Sequence, residues 1–210
     1  MTNSLPRKVT VITTIAIILV GGFIAYYYLT LPTQNSNDEI PYQTRLNNGD
    51  YVKYIERSFV NGTKTLEYPI SWETNEGTIN GSDCFIIKVT ANVDANTTTL
   101  IYWYMNKTTN DCISMKTQTF VNGNLTSEYA TEYGYAAFVV DPNTIVGHEK
   151  IIVLAGTFDC YKSVVKDESA GTVTNLWYNS GVPISGLVKF ETYDSNNQLI
   201  TERELTGYSQ

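Results

Sequence analysis

The run Cys84-Phe-Ile-Ile-Lys-Val-Thr90, followed closely by Leu100-Ile-Tyr-Trp-Tyr-Met105, decides the fold. Both segments are rich in β-branched and aromatic residues, which suit a pleated, half-buried strand and lose side-chain freedom in a helix. Runs of the same kind lie on either side, at Tyr51-Val-Lys-Tyr-Ile-Glu-Arg57 and Gly186-Leu-Val-Lys-Phe-Glu-Thr192. Between the runs stand Asn61-Gly62, Asn122-Gly123 and Asn196-Asn197, residues that tolerate the left-handed backbone of tight hairpin turns. About a dozen short strands spaced roughly 8 to 14 residues apart predict an antiparallel, all-β domain. No amphipathic helical period interrupts them.

The pattern is duplicated. Gly81-Ser-Asp-Cys84-Phe, Trp103-Tyr104, Met115-Lys116, Thr119-Phe120, Leu125 and Glu128 recur as Gly156-Thr-Phe-Asp-Cys160-Tyr, Trp177-Tyr178, Val188-Lys189, Thr192-Tyr193, Leu199 and Glu202. The offset stays between 73 and 76 residues, so residues 81–130 and 156–205 read as two copies of one β-meander. A hairpin from Val52 to Gly62 resembles the last part of each copy.

A turn near Asp94 and Ala95 predicts that Phe85, Ile87 and Val89 face Tyr104, Tyr102 and Leu100, with Ile113 and Met115 continuing the same apolar surface. The opposite surface then carries Cys84, Ile86, Lys88, Met105, Trp103 and Ile101. A sheet with one apolar face and no helices to cover it curls on itself or packs on a second sheet. Incomplete curling leaves a groove, for which Tyr102, Tyr104, Tyr161 and Tyr178 are the candidate lining residues. Ordinary core packing is the competing role for each.

Residues 9–31 contain no charge. As a helix they would extend about 34 Å at 1.5 Å per residue, enough for a hydrocarbon core of about 30 Å. Arg7 and Lys8 precede this span and Asp38 and Glu39 follow it. That asymmetry predicts a single-pass anchor with a cytoplasmic N-terminus, residues 1–8, and an extracytoplasmic remainder. Tyr26, Tyr27 and Tyr28 suit the outer interface. A cleaved signal peptide competes with the anchor, but its apolar core is normally about 7 to 15 residues. Residues 32–41 read as a polar tether and 42–210 as the extracytoplasmic domain.

The chain has 210 residues and a net charge of -7; without Arg7 and Lys8 the remainder holds 12 basic and 21 acidic residues, a net charge of -9. Nucleic acid is not an expected partner, because phosphate binding needs concentrated basic charge. The single His148 excludes any site built from two imidazoles. His148 and Glu149 are adjacent, so on a strand they point to opposite faces. No phosphate loop, dinucleotide fingerprint, EF-hand spacing or nucleophile elbow occurs, so neither a cofactor nor an enzyme is expected.

Cys84, Cys112 and Cys160 all follow the span, where disulfides can form. Simple meander pairing puts Cys84 and Cys112 on either side of Met105, roughly 9.6 Å apart, whereas a bridge needs Cα atoms within about 7 Å. Cys84 with Cys160 is the other pairing, and the sequence does not choose. Asn61, Asn80, Asn96, Asn106 and Asn124 begin N-x-S/T triplets and are candidate glycosylation sites, all in the first half of the domain.

Gly147-His-Glu-Lys-Ile-Ile-Val-Leu-Ala-Gly-Thr-Phe-Asp-Cys-Tyr-Lys162, then Leu176-Trp-Tyr178 and Val182-Pro-Ile-Ser-Gly-Leu-Val-Lys189, resemble the lipoprotein-carrier-like superfamily. They look most like uncharacterised exported domains with an A-G-T-F-x-C-Y-K motif. The resemblance implies a half barrel of curved antiparallel sheet, which in carriers receives acyl chains. Composition and topology also resemble those of archaeal surface proteins. The expected function is therefore a membrane-anchored, extracytoplasmic, non-enzymatic β-domain that binds a hydrophobic or lipid ligand or a cell-envelope partner. A surface module with a filled core and no pocket is the alternative.

Overall fold

The computed structural model describes residues 46–109, 111–132 and 144–209. Residues 1–8, 9–31 and 32–41, expected to be a cytoplasmic N-terminus, a membrane span and a tether, lie outside them, and among the described residues no helix is long and apolar enough to cross a membrane.

Among the described residues eleven strands form one antiparallel sheet. They are β1 Tyr51–Val60, β2 Thr63–Ile79, β3 Ser82–Asn92, β4 Thr97–Asn106, β5 Cys112–Val121, β6 Asn124–Glu132, β7 Ile145–Val153, β8 Gly156–Asp167, β9 Thr172–Tyr178, β10 Leu187–Tyr193 and β11 Leu199–Tyr208. Their order is β6-β5-β4-β3-β2-β1-β11-β10-β9-β8-β7, so the first strand pairs with the last and two meanders run outward from that seam. The sheet is all-β and open, with β6 and β7 at its edges. The hairpins β1–β2 and β5–β6 turn at Asn61-Gly62 and Asn122-Gly123, where all four residues have φ between 50° and 76°. Asn80-Gly81 does the same between β2 and β3. Both central residues of this turn type need positive φ, which Asn tolerates and Gly adopts without a Cβ clash.

The sheet is strongly curled. β8 and β11 are three strands apart, about 14 Å in a flat sheet. Yet the rings of Phe158 and Tyr208 stand 5.7 Å apart, and the Ala155 N–H, at the β7–β8 turn, donates to the Leu205 carbonyl on β11 at 3.1 Å. The β7–β8 tip has folded back across the ends of β9 and β10.

The expected register between β3 and β4 is wrong by one residue. Phe85, Ile87 and Val89 pair with Met105, Trp103 and Ile101, not with Tyr104, Tyr102 and Leu100. Since successive strand residues face opposite ways, the slip exchanges the two surfaces of β4. Asp94 sets the true register: its carboxylate accepts the N–H groups of Asn96 and Thr97 at 2.7 and 2.8 Å, and Val93 N–H donates to Thr97 O, closing a four-residue loop. The inner face therefore holds Val52 and Tyr54 from β1, Ile70 and Trp72 from β2, Ile87 and Val89 from β3, and Ile101, Trp103 and Met105 from β4, all buried. Trp72 meets Tyr54 and Trp103 edge-on, with centroids 5.8 and 5.3 Å apart.

The duplication survives as strand order but not as facing. β3–β6 and β8–β11 are the two copies, yet Trp103 pairs with Met115 on the inner face, whereas its counterpart Trp177 pairs with Lys189 on the outer one. A bulge between Leu187 and Lys189 moves the second copy by one residue. The outer-face aromatic of the first copy is instead Tyr102, between Lys88 and Lys116, as Trp177 lies between Lys162 and Lys189.

Candidate functional site

Three places carry chemistry: the inner face, an ionic belt on the outer face, and a recess near the β7–β8 tip. The inner face is filled by the chain itself. The connection from β9 to β10 runs through Val182-Pro-Ile-Ser-Gly186, and residues 182–188 are all buried. Ser185 N–H donates to Pro183 O at 2.9 Å, which closes a three-residue turn centred on Ile184 with φ at 66°. A γ-turn of this hand is the rare, strained one, and a β-branched residue there is an outlier. Ile184 is nevertheless 0% exposed, so packing holds the strain in place. Tyr54 secures the plug from below, through Ser185 Oγ at 3.1 Å and as a donor to Leu187 O at 3.0 Å. Burial pushes its phenol up to about 12, so the hydroxyl stays protonated at neutral pH.

Beside the plug is a charge pair at the β1–β11 seam. Glu56 is 1% exposed. Its carboxylate accepts from Arg203 Nε at 2.8 Å and from Arg203 Nη2, and from the Tyr68 hydroxyl at 2.5 Å. The Arg203 guanidinium also lies 5.0 to 6.0 Å from the ring centroids of Phe190, Tyr54 and Trp72. Burial first, and then the Glu56 carboxylate, raise the Tyr68 phenol well above its ordinary range. Carboxylate and guanidinium satisfy each other, so neither is presented to an internal ligand.

On the outer face, ion pairs run across the seam. Arg57 contacts Glu67, Glu202 and Glu204 at 2.8, 3.0 and 2.6 Å, and Lys189 contacts Glu191 and Glu202 at 2.7 and 3.1 Å. Trp177 continues the belt. Lys162 and Lys189 stand 5.1 and 5.9 Å from its ring centroid, and its Nε1 donates to Glu149 at 2.6 Å. The indole hydrogen bond, with help from Lys162, holds the Glu149 carboxyl below its ordinary range. A lowered folded-state value means that the contact contributes stability above the unfolded carboxyl's range and loses it as pH falls through the folded value. On acid titration the Trp177 signal should therefore change only below the ordinary carboxylate range. Glu149→Gln, which keeps an acceptor but cannot titrate, should abolish that change, read by comparing near-UV circular dichroism of the two proteins. An identical transition in both would remove Glu149 as its cause.

The four candidate groove tyrosines do not converge. Tyr102 and Tyr104 sit half-buried on the outer face of β4, opposite the Trp103 side. Tyr161 is 36% exposed, edge-on to His148 with centroids 5.0 Å apart, and Tyr178 is buried. The last two are paired across β8 and β9, away from Tyr102 and Tyr104 on β4. Only the register slipped by one residue would place Tyr102 and Tyr104 on the inner face. His148 meets Tyr161 while Glu149 turns to Trp177, so the adjacent pair does not act on a common point.

Cys84, Cys112 and Cys160 are free thiols, each 0% exposed. Cys84 is next to Phe85, whereas Cys112 shares the Met105 row with Phe85, so Cys84 and Cys112 lie on opposite faces and cannot bridge. Burial raises all three thiols, Cys112 to about 11 and Cys160 to about 12. The folded chain should take up no alkylating reagent at neutral pH, and all three thiols should react in denaturant without reductant. An intact mass showing fewer than three additions in denaturant would contradict the free-thiol state. Among the candidate glycosylation sites, Asn61, Asn80, Asn96 and Asn124 are exposed at hairpin ends. Asn106 is half-buried, its side-chain oxygen accepting the N–H groups of Thr108 and Thr109.

The third place is a recess of about 480 Å³ lined by Lys53 and Ile55 of β1, Pro69 and Ser71 of β2, Thr90 of β3 and Leu154 of the β7–β8 tip, among others. The strand residues alternate with inner-face Tyr54 and Ile70, so the recess opens on the outer face. Sequence reasoning missed it because it depends on Leu154 arriving from the far end of the sheet.

These features define an open, strongly curled antiparallel sheet whose inner face is filled by its own β9–β10 connection. No protein-family model matches the chain, and no curated protein matches it. Solved structures similar to it include a candidate exported protein with a YmcC-like fold from Bacteroides fragilis, at a TM-score of 0.39 and 12% identity over 80% of this chain and 99% of that one. A candidate lipoprotein from Parabacteroides distasonis is similar at a TM-score of 0.37 and 15% identity, over 82% of this chain and 100% of that one.

Proposed function

We propose that the chain is a membrane-anchored, extracytoplasmic, non-enzymatic β-domain that works by surface contact with another component of the cell envelope. The observation that carries this reading is the plug. Residues 182–188 are buried against Tyr54, and Glu56 and Arg203 satisfy each other beside it, so the interior offers a packed core where a carrier needs a receptacle. Contacts with other molecules then fall on the outer face and the edges. The uncharged span 9–31 with Arg7 and Lys8 before it supports the location, cytoplasmic at the N-terminus and outside thereafter.

Adjacent residues of β4 provide the test, because they face opposite ways. A photo-crosslinking benzoylphenylalanine at Tyr104, on the outer face, should give an adduct with another envelope component in intact cells, and the same group at Trp103 should give none. External protease on those cells should remove a C-terminal epitope and spare an N-terminal one. Adducts from Trp103 alone would overturn the surface-contact reading, and protection of the C-terminal epitope would overturn the location.

A further inference from the structure

We infer that the outer-face recess is a binding site for a single aliphatic chain ending in a carboxylate. It arises where two small side chains follow Lys53 across the sheet: Ser71 pairs with Lys53, and Thr90 pairs with Ser71. A bulge at Lys53/Tyr54 puts Gly207 and then Leu205 opposite β1, so Thr206 is left without a partner there and joins the lining. The β7–β8 tip completes the wall. Ala155 is tied to Leu205 O, which carries Leu154 to the rim, where it remains 67% exposed. The volume of about 480 Å³ falls within the range of small-molecule pockets, about 300 to 1,000 Å³.

Charge selects the head group. The chain is acidic overall, yet the described lining has no carboxylate and one cation, Lys53. Among the described residues Lys53 makes no ion pair; its Nζ lies 5.4 Å from the Tyr51 ring centroid. Among the described lysines Lys64, Lys107, Lys116, Lys162 and Lys189 each have a glutamate partner; Lys88 and Lys150, like Lys53, make no ion pair, but neither lines the recess. Lys53 is therefore placed to meet an anion at the rim while Ile55, Pro69 and Leu154 take the chain behind it. Five polar residues in the lining, Lys53, Ser71, Thr90, Asn92 and Thr206, stand beside the apolar ones, which suits a chain with one polar end. This inference does not depend on where in the cell the domain resides.

The test uses the full chain in nanodiscs and dodecanoate carrying a diazirine on its alkyl tail. Irradiation should place adducts on residues 53–55, 69–71 and 154. Lys53→Gln should lower labelling at those positions about tenfold, the size of one charge-assisted hydrogen bond, and Lys53→Arg should restore most of it. Ser71→Phe, which fills the recess from a half-buried outer-face position, should abolish it without changing the circular dichroism spectrum. Unlabelled decanoate should compete and decyltrimethylammonium should not. Adducts scattered over the surface and indifferent to Lys53→Gln and Ser71→Phe would overturn the site, and equal competition by the ammonium would overturn the choice of head group.

Discussion

Replacing Arg203 by Met lowers the stability of the domain by about 3 to 5 kcal/mol, because it leaves the Glu56 carboxylate buried with no counter-charge. Glu56 is 1% exposed, and after the substitution only the Tyr68 hydroxyl remains as a donor among its described partners. The desolvation penalty of an uncompensated carboxylate exceeds what one neutral hydrogen bond returns. For a domain of this size each kcal/mol corresponds to about 2 to 4 °C, so the melting temperature should fall by roughly 10 °C. The double variant Glu56→Met with Arg203→Met should recover most of the loss, since the aromatic rings of Tyr54, Trp72 and Phe190 already surround the guanidinium. Urea unfolding of the three proteins measures this. A loss below about 1 kcal/mol for Arg203→Met would mean that the pair is solvated, as surface pairs are.

Trp103→Ala should cost about 3 to 5 kcal/mol, and Tyr102→Ala, one residue earlier, no more than about 1. The two side chains differ little in size but point to opposite faces. Trp103 is 5% exposed and packs on Trp72, whereas Tyr102 is half-buried between Lys88 and Lys116. Truncating Trp103 removes a large apolar area and leaves a void that the surrounding strands fill only in part. The slipped register would give the reverse order, so this pair of denaturation curves also tests the register.

What the sequence made legible was the class of fold and its punctuation. Period-two runs and Asn-Gly dipeptides are local signals, and the strands and turns fall where those signals lie. Register was not legible from the same signals, because β4 carries aromatic residues on both faces and the β3–β4 loop length is ambiguous by one. The lysines held the missing information. Lys88 and Lys116 both align with Tyr102, and a row of charged side chains marks the solvent face more reliably than a row of tyrosines. Asp94, three residues before Thr97, was the second signal, as an acceptor for the loop's N–H groups.

Nothing local in Val182-Pro-Ile-Ser-Gly186 says that it folds inward. Its burial depends on Tyr54, 131 residues earlier than Ser185. The Glu56–Arg203 pair, 147 residues apart, was hidden for the same reason. The duplication misled in one respect: it placed Trp103 and Trp177 in equivalent roles, and a single bulge gives them opposite faces.

The filled inner face is the central claim, and amide hydrogen exchange at the plug tests it most directly. Val182 N–H donates to Asn179 O, Ser185 N–H to Pro183 O and Leu187 N–H to Ser185 Oγ. In the full chain these three amides should exchange as slowly as those of β1, limited by global unfolding, with or without added dodecanoate. Exchange at loop rates, or protection that changes when dodecanoate is added, would show that the plug leaves the inner face and that the face is a ligand site.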